Sequence, residues 1–238
     1  MGTTRVKVTK LAFVALLTAL LASTANSAER VTSVLTQDAQ AKITPAKALT
    51  MLEEGNARFV SGNATDYDYH AQIKKTADGQ FPFASVLSCL DSRIIPEIVF
   101  DRGVGDLFVA RVAGNFTNDD ILGSFEFAAR LAGSKLIVVM GHSECGAVKG
   151  ACDAAQLGLL STTLASINPA VTAVEGYNPR NSTNSGFVQA VSEMNVRLTM
   201  KTLRDRSVVL RQMIESGEIA LVGAMYDVST GAVTFFED

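Results

Sequence analysis

The sequence predicts an α/β fold: a mostly parallel central β-sheet flanked by helices, with an N-terminal helical arm. Three observations predict it. Short apolar runs recur at Phe81–Cys89, Leu107–Arg111, Lys135–Gly141 and Ile219–Asp227. Segments with apolar residues at helical spacing lie between them. Strands alternating with helices build βαβ units, and these make parallel sheets.

The first 28 residues stand apart. Arg5, Lys7 and Lys10 form a basic start, Leu11–Leu21 run without a charge, and Ala22–Ala28 are small or polar. This is the pattern of a secretory signal peptide over residues 1–28, leaving 29–238 as one domain. The apolar run is about half of the ~20 residues a membrane-spanning helix needs, and an uncleaved anchor is the alternative. The mature protein is expected in the periplasm or outside the cell, free of the membrane.

Residues 29–43 read as a polar leader. Thr44 and Pro45 then open a helix, as N-cap and first helical residue. Ala46, Leu49, Leu52, Ala57, Phe59 and Val60 give it an apolar face, and it ends near Ser61-Gly62. Asn63–Gln80 is polar and reads as an extended arm or loop, with His70 exposed on it. The Phe81–Cys89 run is a buried strand, and Leu107–Arg111 a second. Asn118–Leu131 has helical period and Gly133 closes it; Lys135–Gly141 is the most β-branched strand. A helix starts near Cys145. After the Gly-, Asn- and Pro-containing stretch Ser166–Ser185, a long helix begins near Gly186 on Val188, Val191, Met194, Leu198 and Leu203. Ser207–Ser216 continues as a shorter helix. Ile219–Asp227 is the fourth strand, and Gly231 turns the chain into a last one.

With 47% hydrophobic residues among 238, the chain can bury one substantial core. Its formal net charge is −3, and loss of three cations with residues 1–28 makes it −6. A chain this acidic has no electrostatic footprint for nucleic acid and is repelled by anionic lipid.

There are three cysteines, Cys89, Cys145 and Cys152. An exported chain normally pairs its cysteines, but an odd number, two of them in chemical motifs, argues for metal ligation. Cys89-Leu90-Asp91-Ser92-Arg93 directly follows the first strand, and His142-Ser143-Glu144-Cys145 the third. Both lie at carboxyl ends of parallel strands, where open α/β sheets place their sites. Cys89, His142 and Cys145 make a Cys₂His set suited to tetrahedral zinc, with a fourth position open for water or substrate. Buried packing of the two cysteines, and a plain salt bridge between Asp91 and Arg93, are the structural alternatives. Cys152 reads as a small buried side chain on a helix.

On these motifs the sequence is similar to the β-class carbonic anhydrases, which carry Cys-x-Asp-Ser-Arg and His-x-x-Cys. The likeness extends through Gly79-Gln80, through Gly105–Asn115 and through Gly223–Asp227 with Thr230-Gly231, so that it runs from about Thr44 to the end. The resemblance implies the β-carbonic anhydrase fold and reversible hydration of CO₂ to bicarbonate and a proton by zinc-activated water. It implies one zinc on Cys89, His142 and Cys145, with Asp91 as a further ligand only in a closed form. It makes Asp91 and Arg93 the catalytic dyad and Gln80 and Phe108 substrate-binding residues. It also implies a homodimer or homotetramer with sites at subunit interfaces. Tyr226 is a weaker candidate for the pocket, and Glu144 reads as solvated. Val86 stands where some family members carry a tryptophan of a regulatory bicarbonate pocket, and the chain has no tryptophan.

Two other readings compete. Hydrolysis of carbonyl sulfide or carbon disulfide would use the same centre. A non-catalytic zinc or thiol-redox protein would leave Asp91, Arg93 and Gln80 dispensable and would be favoured by a Cys89–Cys145 disulfide.

Overall fold

The computed structural model describes residues 1, 2 and 30–237. The proposed signal peptide lies almost wholly outside the described residues. Among those described, no helix is long and apolar enough to cross a membrane.

Strands β1 (Ala84–Ser88), β2 (Leu107–Arg111), β3 (Leu136–His142), β4 (Ala220–Tyr226) and β5 (Val233–Phe236) form one sheet in the order β2-β1-β3-β4-β5. The first four run parallel, and β5 returns antiparallel to β4. Every residue of β1 and β3 is buried. This is why both read as continuous apolar runs rather than alternating ones. Alternate side chains serve two cores. Val86, Leu136, Val138 and Met140 pack on one face with Leu52, Phe83 and Phe187. Leu87, Ile137 and Val139 pack on the other with Phe125, Met200 and Leu210.

The helices are α1 (Gln37–Ala41), α2 (Pro45–Val60), α3 (Tyr69–Thr76), α4 (Pro96–Val99), α5 (Asp119–Glu126), α6 (Gly146–Cys152), α7 (Leu160–Ala165), α8 (Asn168–Ala173), α9 (Ser185–Arg206) and α10 (Val208–Glu215). Thr44 caps α2 through a side-chain bond from the Lys47 amide, with Pro45 in the first turn, as expected. The segment Asn118–Leu131 is helical, but its last turn, Phe127–Leu131, widens to π geometry.

Three expectations need correction. Asn63–Gln80 is not wholly extended: it contains α3, capped by the Asp68 carboxylate on the Ala71 amide. Ile73 is the one large aliphatic residue of that helix and is exposed, so it carries no apolar stripe to betray it. Residues 30–43 are not a free leader. Val31 bridges to Tyr67, and the buried Gln40 side chain donates to the carbonyls of Pro82 and Ala132. The Ser166–Ser185 stretch contains α8, opened by Asn168-Pro169.

Asp101 ties the arm to the domain. Its carboxylate accepts from Arg58 Nε at 2.5 Å and from the Thr65 amide and hydroxyl at 2.9 and 2.8 Å. Burial opposes its ionisation, yet the bonds from Arg58 and Thr65 outweigh that and hold the carboxyl below its ordinary value. A lowered carboxylate stabilises the fold above the unfolded value of about 3.9 and loses that contribution as pH falls through the folded one. Asp101→Asn is therefore expected to destabilise the protein by about 1–3 kcal/mol near neutral pH. The deficit should shrink in acid, as urea unfolding of both proteins at neutral pH and below about pH 3 would measure.

Candidate metal centre

β1 and β3 are direct neighbours, with Ser88 opposite Met140. Cys89 follows the end of β1, and His142 ends β3, so the fold brings together residues 53 apart in the chain. After His142 the chain turns through Glu144, which adopts a left-handed φ of 57°, and enters α6 with Cys145 as its N-cap. The two-residue gap thus spans a strand end and a helix start.

Cys89, His142 and Cys145 are all buried, and their donor atoms lie within 4.8 Å of one another. The two sulfurs are 4.0 Å apart, about twice an S–S bond, and both thiols are free. His142 is fully buried. Its Nδ1 lies 2.9 Å from the Ser143 carbonyl, which can only accept, so Nδ1 carries the proton. Nε2 is then a bare, buried lone pair with no hydrogen-bond partner. An orphaned buried nitrogen beside two sulfurs fits a soft cation such as zinc and fits plain packing poorly.

The contact between the two sulfurs holds the Cys89 thiol well below its ordinary value. The same contact, with burial, pushes Cys145 up. Both sulfurs also receive backbone amides: Gly114 N lies 3.4 Å from Cys89 Sγ, and the amides of Ala147 and Val148 in the first turn of α6 favour a Cys145 thiolate.

Asp91 and Arg93 meet as expected. Arg93 Nε donates to Asp91 Oδ1 at 2.9 Å and Nη2 to Oδ2 at 2.7 Å, a bidentate pair, and the Arg93 amide adds a third bond at 3.0 Å. These bonds hold the Asp91 carboxyl far below the usual carboxylate range. Its Oδ2 lies 4.0 Å from His142 Nε2. Asp91 thus faces the donor cluster without belonging to it.

A domain-length comparison decides the family: a family profile described as carbonic anhydrase matches residues 84–233. The chain belongs to the β-class carbonic anhydrases. The enzyme is 36% identical over 196 residues to carbonic anhydrase 2 of Mycobacterium tuberculosis, across 79% of this chain and 90% of that one. It is 34% identical to the carbonic anhydrase of Mycolicibacterium smegmatis, across 79% and 92%. Among solved structures it resembles a tetrameric β-carbonic anhydrase of Sordaria macrospora, with TM-score 0.60 and 25% identity over 70% of this chain and 86% of that one. The fold also matches the β-carbonic anhydrase CafA of Aspergillus fumigatus, with TM-score 0.62 at 24% identity over 81% and 90%. The activity is the reversible hydration of CO₂, and Cys89, His142 and Cys145 form the cluster typical of the β-class metal site.

The enzyme's own fold does not bring Gln80 and Phe108 to this cluster. Gln80 lies ahead of β1, so a five-residue strand, about 16 Å long, separates it from Cys89. It is exposed and lines a cavity with Gln37, Phe81 and Leu131. Phe108 pairs with Ser85, four residues before Cys89, and its ring meets Phe127 edge-on at 6.2 Å. Tyr226 stands opposite His142, with its hydroxyl 3.5 Å from the Arg93 carbonyl. Glu144 pairs with Lys149, and its carbonyl accepts from Arg93. Cys152 is only half-buried, at the end of α6, where the expectation was full burial. His70 is exposed, on α3.

Sequence reasoning passed over Arg111 as part of a strand. Its Nε donates to the Cys89 carbonyl at 3.0 Å and its Nη2 to the Asp91 carbonyl at 2.7 Å. The signal available was a charge at the carboxyl end of a strand beside the motif. Arg111→Met removes this clamp and should weaken metal retention about 10-fold. Competition with a chromogenic chelator would measure it, with thermal unfolding as the control for global stability.

Proposed function

We propose that the enzyme holds one zinc ion per chain on Cys89, His142 and Cys145 and works through Asp91 and Arg93. The observation that carries this reading is the bare His142 Nε2, facing two sulfurs with the Arg93-held Asp91 carboxylate 4.0 Å away. Zinc supplies Lewis-acid activation of the water that attacks CO₂. Asp91 accepts a hydrogen bond from the attacking water and aims a lone pair at the carbon. Arg93 keeps both Asp91 oxygens engaged, so the carboxylate stays beside the metal position rather than on it. Without Arg93, Asp91 would be free to turn toward the three donors and would then compete with water for the bound ion.

Gln80 and Phe108 reach the site from a second copy of the chain in this reading, as a hydrogen-bond donor to bicarbonate and an apolar wall for CO₂. Supporting it, the outer edge of β2 pairs with no other described strand. Phe127 and Leu131 near it expose large apolar surface. The Sordaria relative is described as tetrameric. The functional unit is a homodimer or homotetramer. Export by residues 1–28 completes the reading and puts the enzyme in the periplasm or outside the cell. Its support is the sequence pattern, and the mass of the mature N-terminus tests it.

Stopped-flow CO₂ hydration on zinc-assayed protein is the first test. Two thiolates cancel the cation's formal charge, so activation of water is expected at higher pH than at an all-histidine site. Hydration should climb between about pH 6.5 and about pH 8.5. Asp91 is ionised throughout that range and cannot set the profile. Arg93→Ala should keep its zinc and lose about 10–100-fold in activity; full activity would remove the dyad from the mechanism. Mixing Gln80→Ala with Arg93→Ala subunits should restore activity that neither parent has. Failure of exchanged subunits to do so would place Gln80 outside the partner's site.

A further inference from the structure

We propose that Asn195, on α9, is a positioning residue for the metal centre: it holds Gly114 so that the Gly114 N–H stays on the Cys89 sulfur. The inference rests on the zinc reading above and assigns a residue outside both metal motifs.

The two sulfurs are served by backbone donors in different ways. The amides facing Cys145 belong to the first turn of α6, and the helix itself fixes their direction. Two amides face Cys89: that of Asp91, in the same short loop, and that of Gly114, which comes from a separate loop after β2. Gly114 has φ +82° and Asn115 has φ +43°, two successive left-handed residues closed by an Asn115 amide bond to the Val112 carbonyl. Such a turn has no periodic structure to hold it.

The hold comes from across the domain. Asn195 is 3% exposed, and its Nδ2 donates to the Gly114 carbonyl at 2.7 Å. Gly114 N in turn lies 3.4 Å from Cys89 Sγ. A side chain on Gly114 would meet Ile167 Cδ1 at 2.4 Å, so the backbone itself fills the space between α8, α9 and the sulfur. Asn195 stands among Val191, Val196 and Thr199 on the buried face of α9, where a polar residue is costly unless paired. Its amide satisfies one carbonyl and, through that residue, orients one donor.

The consequence is electrostatic. Two thiolates neutralise a divalent cation, which weakens its pull on water. An N–H bond to a thiolate draws density off the sulfur and returns part of that pull. It also lowers the energy of the sulfur lone pair, which light absorption reads directly.

The test uses the full oligomeric enzyme with cobalt in place of zinc, comparing wild type with Asn195→Leu and Asn195→Ser. Leu keeps the volume, and Ser relieves any crowding that stops the Leu protein folding. Both variants should bind one cobalt per chain about 10-fold more weakly. Their thiolate-to-cobalt charge-transfer band should move to longer wavelength, a shift that loosened packing alone would not give. Folded, fully loaded variants with an unmoved band would overturn the inference. The native protein gives a second reading with no substitution. Loaded with a spin-active cadmium isotope, it should show scalar coupling from the metal to the Gly114 amide proton through sulfur, and a loaded protein without that coupling overturns the inference. A wild type that takes up cobalt without any thiolate band would instead sink the zinc reading, and this inference with it.

Discussion

The side-by-side parallel pairing of β1 and β3 is the constraint on which the rest depends. A parallel pair aligns carboxyl ends, so a ligand that follows one strand meets a ligand that ends its neighbour. Cys89 and His142 are such a pair. Had β2 lain between them, two strand spacings, about 9–10 Å, would have kept the donors apart. Burial of both sheet faces then follows as a requirement. A parallel sheet carries its crossover helices on both sides, and the two apolar clusters are what those helices bury.

Around that junction the charges are arranged to hold backbone as much as to do chemistry. Arg93 engages the Asp91 carboxylate and reaches the Glu144 carbonyl. Arg111 engages the carbonyls of Cys89 and Asp91. Arg93 therefore joins the two ligand loops, and Arg111 ties the first of them to β2. Their forked donors match carbonyl and carboxylate geometry in a way a lysine ammonium does not. The net effect is a cluster whose own groups are buried while its positive partners stay at the surface.

The strand pattern, the α2 cap and the Cys89-His142-Cys145 cluster were legible because each rests on local chemistry: continuous apolar runs, a Thr-Pro start, and ligand types at a turn. The pairing of Asp91 with Arg93 was expected by resemblance, and the two side chains do meet, in a bidentate pair. What could not be read was whatever depends on long-range contact. α3 lacks an apolar stripe, and what seats it is the buried Gln72 reaching Ser33 and Val104. Gln80 and Phe108 were expected by resemblance, yet within one chain both lie toward the amino ends of β1 and β2, away from the cluster. Asn195 left one faint trace, a polar residue on the apolar side of a helix.

All three donors of the cluster lie between residues 89 and 145, at the ends of two strands that pair directly and the helix start that follows, while β4 and α9 come much later in the chain. During vectorial synthesis the complete donor set therefore exists in a half-made polypeptide. The later half adds no ligand. It brings the helix that reaches over the Gly114 turn, so that the donor cluster and the contact that braces its rim come from successive portions of the same chain.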